Sequence, residues 1–283
     1  MLTDSHAHLD MLPEGELAAV LERALTAGVS TILAIGIGDG PATMHRALEI
    51  AEVNRQAGPA EAQPRIFASA GIHPQEAHQA TGGALRELAA LVAHERCIAV
   101  GEIGLDYYHV ENPDVATQQA AFVAQMEVAA AAGKPILIHC RTSELATPAA
   151  KERYGAADAW EDLLALLEQH WRRHGLPGIM HCFSGTVEQA RRSLELGFYL
   201  SFAGNLTYPA AKSLREAAAF APADRILVET DAPFLAPIPF RGKPNEPAYV
   251  AHTAAALAAL RGVSLEELAS QTSANFGELF PVT

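Results

Sequence analysis

Eight times along this chain an apolar, β-type run is followed by a helical pattern, and that alternation constrains the fold more than any other feature of the sequence. The strand candidates are Met1–His6, Ser30–Ile35, Arg65–Gly71, Cys97–Ile103, Pro135–His139, Gly178–His181, Tyr199–Phe202 and Arg225–Glu229. Several are short and continuously aliphatic, as in Ile136-Leu137-Ile138 and Ile226-Leu227-Val228, the pattern of parallel strands buried on both faces. Helical patterns occupy Glu14–Ala27, Pro41–Gln56, Gly83–His94, Thr117–Ala132, Asp158–Arg173, Val187–Leu196, Pro209–Phe220 and Tyr249–Arg261. A tail helix starts near Ser264, where Ser264-Leu265-Glu266-Glu267 has the spacing of a capping box. Eight such units predict an α/β fold, a closed (β/α)8 TIM barrel forming one domain over residues 1–283. The competing doubly wound sheet calls for a glycine-rich phosphate loop after the first strand, and no G-x-G-x-x-G stands there.

Charge and cysteine usage narrow the function. A net charge of −13 argues against a broad nucleic-acid-binding face. It leaves room for a nucleic-acid end to enter a metal-lined pocket, because the ions bring their own positive charge. The cysteines, Cys97, Cys140 and Cys182, are odd in number and not closely paired, which predicts free thiols in a reducing compartment. No basic-then-apolar leader opens the sequence, and no apolar run reaches the roughly 18 residues of a membrane span. The expectation is a cytoplasmic, soluble protein with no membrane association and no obligate protein partner.

In a (β/α) barrel the chemistry sits at the C-terminal ends of the strands. His6 and His8 stand at the first such end, one residue apart, so that a strand would turn both imidazoles to one face. His73 follows strand 3, Glu102 lies in strand 4, His139 and Arg141 end strand 5, His181 and Ser184 end strand 6, and Glu229 and Asp231 end strand 8. Four imidazoles and two carboxylates supply enough donors for two divalent ions, and a carboxylate such as Glu102 can bridge them. Mixed nitrogen and oxygen ligation suits zinc, manganese or a similar ion better than magnesium, which prefers oxygen. Cys140 and Cys182 each follow a proposed ligand, so alternation should turn them toward the helices as structural thiols. The other histidines, His45, His78, His94, His109, His170, His174 and His252, read as surface or packing residues. Trp160 and Trp171, eleven apart on one predicted helix, should share a core face.

The blocks Asp4-Ser5-His6-Ala7-His8, Gly71-Ile72-His73-Pro74, Gly101-Glu102-Ile103-Gly104-Leu105-Asp106, His139-Cys140-Arg141, His181-Cys182-Phe183-Ser184-Gly185, Glu229-Thr230-Asp231-Ala232-Pro233 and Arg241-Gly242-Lys243-Pro244-Asn245-Glu246-Pro247 resemble, in order, the signature of the TatD family of metal-dependent deoxyribonucleases and hydrolases. The resemblance implies an amidohydrolase-type TIM barrel with two divalent ions, zinc, manganese or magnesium. It implies that His6 and His8 bind the first ion, that Glu102 bridges, that His139 and His181 bind the second, and that Asp231 returns to the first and serves as general base. Glu229 would orient a ligand or bind an additional ion, and His73, Arg141 and Ser184 would meet a substrate phosphate. Arg241 and Lys243 are further phosphate candidates, with a pairing of Arg241 to Glu246 as the alternative. The sequence departs from the family pattern in a longer insert, Thr142–Ala157, expected on the active face as a lid or substrate wall. The function implied is a 3′→5′ exonuclease-like phosphodiesterase on single-stranded DNA or RNA. The alternatives are an ester hydrolase such as a D-aminoacyl-tRNA deacylase on the same site, and a non-enzymatic metal scaffold.

Overall fold

The computed structural model describes residues 1–56, 63–142 and 147–281. Its strands are β1 Leu2–Ala7, β2 Val29–Ala34, β3 Arg65–Ala70, β4 Cys97–Asp106, β5 Ile136–Arg141, β6 Gly178–Met180, β7 Phe198–Phe202 and β8 Ile226–Val228. They form one sheet in the order β1 to β8, each parallel to the next. The seam between last strand and first is drawn together just past their ends. There the Asp231 N–H donates to His6 O at 2.9 Å and the His8 N–H donates to Ala232 O at 2.8 Å. This is the predicted TIM barrel, and the seam brings two metal-ligand candidates together.

Alternation along the strands sorts the aliphatic residues. Ile32 and Ala34, Ile66 and Ala68, and Ile136 and Ile138 face the helices, while Leu33, Phe67 and Leu137 between them fill the barrel interior. Helices α1 Leu17–Thr26, α2 Arg46–Gln56, α3 Gly82–Val92, α4 Val115–Ala132, α5 Pro148–Tyr154, α6 Ala159–Leu166, α7 Val187–Glu195, α8 Lys212–Phe220 and α9 Val250–Arg261 surround the sheet. The last, α10 Leu265–Leu279, sends Phe276, Leu279 and Phe280 into the interior cluster beside Phe67, Ile98 and Leu227. Asn275 of α10 holds the start of β8 by donating to Ala223 O and Ile226 O, both at 2.8 Å. The tail helix therefore closes the N-terminal end of the barrel and leaves chemistry to the other end. Among the described residues no helix is long and apolar enough to cross a membrane.

Three details differ from expectation. Strand β4 runs on to Asp106, because Gly104 and Leu105 continue the pairing with His139 and Cys140. The helix expected over Asp158–Arg173 ends as α6 at Leu166 and continues as a π turn, Leu167–Trp171, and a 3-10 turn, Arg172–His174; Trp160 and Trp171 are nonetheless both buried. Ser264 caps α10 by accepting from the Glu267 N–H at 3.1 Å, whereas the reciprocal capping box is formed by Thr186 and Gln189 on α7. Of the insert, residues 143–146 lie outside the described residues, and the part from Pro148 folds as α5. Arg153 of α5 donates to Asn112 O at 2.7 Å and Tyr154 donates to His109 O and stacks on Tyr107. The described part of the insert braces the β4–α4 loop, whose His109 lines the cleft, and so lies on the active face as expected.

Glycines on either side of Glu102 set how closely β4 approaches β5. Gly104 has φ +143°, and a Cβ there would stand 2.0 Å from His139 O. The Gly104→Ala variant should lose roughly 3 kcal/mol, from overpacking against backbone plus conformational strain. Gly262→Ala, with open space around it, should lose only the left-handed penalty of about 1 kcal/mol. Urea denaturation of both variants checks this, and equal losses would sink the argument.

Candidate metal centre

At the C-terminal end of the barrel a cleft of about 580 Å³ is lined by His8, His73, Glu102, Asp106, His139, Arg141, His181, Ser184 and Asp231, among others. Beneath it, donor atoms converge. His6 Nε2 lies 3.3 Å from His8 Nε2, 3.4 Å from Glu102 Oε2 and 3.7 Å from Asp231 Oδ1. His8 Nε2 lies 3.7 Å from Glu102 Oε2 and 3.4 Å from Asp231 Oδ1. Glu102 Oε2 and Asp231 Oδ1 thus each stand 3.4–3.7 Å from both imidazole nitrogens, a span that an ion with bonds of about 2.1 Å to nitrogen or oxygen can bridge. Two imidazole nitrogens and two carboxylate oxygens brought this close make a donor set that fits a divalent metal.

The other oxygen of Glu102 faces a second set. Oε1 is 2.6 Å from His139 Nδ1, 3.5 Å from His73 Nε2 and 3.5 Å from His181 Nε2. Its two oxygens thus look into two imidazole clusters. The glutamate is 3% exposed, and it reaches this position because β4 carries it inward between its two glycines.

Residues behind the donors fix their orientation. Glu229, fully buried, accepts from the Cys182 N–H at 2.7 Å and stands 2.8 Å from His181 Nδ1, close but poorly aligned for a hydrogen bond. That approach leaves His181 Nε2 for the cluster. Asp106 Oδ2 stands 3.4 Å from His139 Nε2 and 3.0 Å from His109 Nδ1. Asp4 accepts from the Thr230 N–H at 2.9 Å and its hydroxyl at 2.6 Å, tying β1 to the residue before Asp231. Burial lifts the Asp4 carboxyl to about 7 against the pull of those hydrogen bonds.

A family model described as TatD related DNase matches residues 3–281. The chain belongs to the TatD family of metal-dependent hydrolases. Among TatD relatives it is 38% identical over 284 residues to the uncharacterised metal-dependent hydrolase YabD of Bacillus subtilis, covering 100% of each. It is 33% identical to the 3′-5′ ssDNA/RNA exonuclease TatD of Enterobacter lignolyticus, over 93% of this chain and 92% of that one. The crystal structure of YjjV, a TatD homologue from Escherichia coli K12, superposes with a TM-score of 0.84 at 29% identity, covering 100% of this chain and 98% of that one.

Within this TatD fold the residues singled out in the sequence mostly converge, with corrections. His8 lies one residue past β1, with φ −86° and ψ 78°, so the shared face with His6 comes from the turn and not from strand alternation. His73, expected at the substrate, stands within the donor set of Glu102 and His139. Cys182 is not turned to the helices: its φ of +43° sets the thiol beside His181 and Glu229. Arg241 lies over the Tyr208 ring, and the partner of Glu246 is Arg23, at 2.6 Å. His109, read as a surface or packing residue, lines the cleft, and so does Asp106, which the sequence marks only as the end of its block and without a role. A carboxylate four residues after Glu102, at the end of the same strand, was the available signal for Asp106.

Burial opposes charge on His139 and His181. Asp106 and Glu102 nonetheless lift His139 to about 9, and Glu229 and Glu102 lift His181 to about 10. Glu102, though buried, is held well below the usual carboxylate range by the imidazoles around it. At neutral pH the metal-free centre therefore carries imidazolium protons that an entering cation must displace. Zinc uptake should release one or more protons, and its affinity should weaken as pH falls. Calorimetry in two buffers of different ionisation enthalpy measures this; identical heats would contradict it.

Proposed function

We propose that this chain is a phosphodiesterase that removes nucleotides from the 3′ ends of single-stranded DNA or RNA, using two divalent ions, zinc, manganese or magnesium. The observation that carries the reading is the division of Glu102, one oxygen toward His6 and His8 and the other toward His73, His139 and His181, in a cleft that also holds Arg141. His6, His8, Glu102 and Asp231 would hold one ion, and Glu102, His139 and His181, with His73 beside them, the other. Bound there, divalent ions supply Lewis acidity and acidify the attacking water.

The chain's own residues do the rest. The Asp231 carboxylate is kept ionised because the hydrogen bond from His8 and the charge of His181 outweigh its burial, so it can take the proton of the water. Arg141 lies over the Tyr108 ring at 3.7 Å and makes no ion pair among the described residues, which leaves its planar fork for phosphate oxygens. Ser184, exposed in the same cleft, offers a hydroxyl to the phosphate. With a net charge of −13, contact with the nucleic acid is confined to the cleft mouth. The exonuclease name of the Enterobacter relative supports the reading.

The test is mononucleotide release from 3′-labelled single-stranded DNA by metal-loaded protein, expected to stop on chelation. Intact strands with metal still bound would overturn the proposal and turn attention to acyl esters such as D-aminoacyl-tRNA, where Arg141→Ala should matter little.

A further inference from the structure

We propose that Phe234 is a stacking platform for the base of the nucleotide being released. The inference rests on the phosphodiesterase reading and adds the part of the substrate that the cleft recognises by its flat face.

Phe234 lines the cleft yet is 50% exposed. An aromatic left to water is held in place here by its backbone. Its N–H donates to Asp231 O at 2.7 Å, and its carbonyl accepts from Asn245 Nδ2 at 2.6 Å. Asn245 is 2% exposed; its side chain also donates to Thr230 O at 2.8 Å, and its N–H donates to Pro233 O at 3.0 Å. Asn245 belongs to the block Arg241–Pro247, which the metal centre leaves without a role. These bonds fix the backbone that carries the ring relative to Asp231. Its centroid is 5.8 Å from that of His8, with the rings nearly perpendicular at 77°. Contact with His8 thus occupies only part of the ring.

Met11, 37% exposed, and Leu235 extend the apolar lining, and Arg141 over Tyr108 belongs to the same cleft. A terminal nucleotide has the matching parts: an anionic phosphate for the Arg141 guanidinium, and a flat, weakly polar base for the ring. Stacking accepts any base, as sequence-independent trimming of an end requires.

The experiment compares two single strands. One ends in an ordinary nucleotide, the other in an abasic tetrahydrofuran residue. Phe234→Ala should raise KM for the base-bearing strand about 10- to 100-fold with a smaller change in kcat. Phe234→Trp should retain the wild-type KM. The abasic strand should be cut by wild type and the alanine variant with the same, weaker KM. Equal KM for wild type and Phe234→Ala on the base-bearing strand overturns stacking while the phosphodiesterase reading stands, and an equal loss on both strands overturns it in favour of a structural role. Failure of the metal-loaded wild type to cut either strand overturns the phosphodiesterase reading and this inference with it.

Discussion

Glu102→Ala should lower phosphodiester hydrolysis by about 10⁴-fold or more, equivalent to roughly 5–6 kcal/mol of transition-state stabilisation. It should also deplete both ligand clusters of metal in one step. The Glu102 carboxylate gives one oxygen to each set: Oε2 stands 3.4 Å from His6 Nε2, and Oε1 stands 2.6 Å from His139 Nδ1. Losing His6, His8 or His139 removes a ligand from one cluster, whereas losing Glu102 removes one from each and takes away the anion nearest His139. Alanine at a site 3% exposed leaves a void. Glu102→Gln, which keeps the volume and one oxygen, separates a ligand effect from a packing effect. Metal content by mass spectrometry, activity and thermal melting together decide the case. An alanine variant with wild-type metal content and turnover would end the two-cluster account.

Asp231→Asn should reduce kcat about 10²- to 10⁴-fold and leave the fold intact. Asp231 sits at φ +57°, a region that asparagine tolerates better than other side chains with a β-carbon. The asparagine variant keeps an oxygen for coordination and loses the proton acceptor. Bound metal should therefore change less than turnover, the reverse of the pattern expected for Glu102→Ala. Melting within a few degrees of wild type, together with the fall in kcat, supports the base role. Unchanged kcat would assign Asp231 to coordination alone.

The sequence carried the barrel because aliphatic runs alternate with helical patterns eight times, a repetition that a single run does not provide. It carried His6, Glu102, His139 and His181 because each stands at or near the end of such a run. It failed where backbone geometry departs from alternation. Cys182 adopts a left-handed conformation just beyond its strand, and there the rule that neighbours point to opposite faces no longer holds; Asp231 is also left-handed, yet stands beside His6 and His8 as expected. It also failed for residues defined by their partners. His109 looks like any loop histidine until Asp106, at the end of a strand longer than its apolar core, is seen 3.0 Å away. Phe234 carries no polar atom to mark it. Its place depends on Asn245, eleven residues on in the chain, whose amide holds its carbonyl.

The barrel's closing seam has a consequence for when the protein becomes active. His6 and His8 come from the first strand and Asp231 from just beyond the eighth, and the Asp4–Thr230 bonds that join those regions link residues 226 positions apart. A ribosome-held chain that has not yet released its eighth strand has no complete first cluster, however well its earlier units have folded. Any hydrolysis that depends on that cluster thus waits for the finished fold.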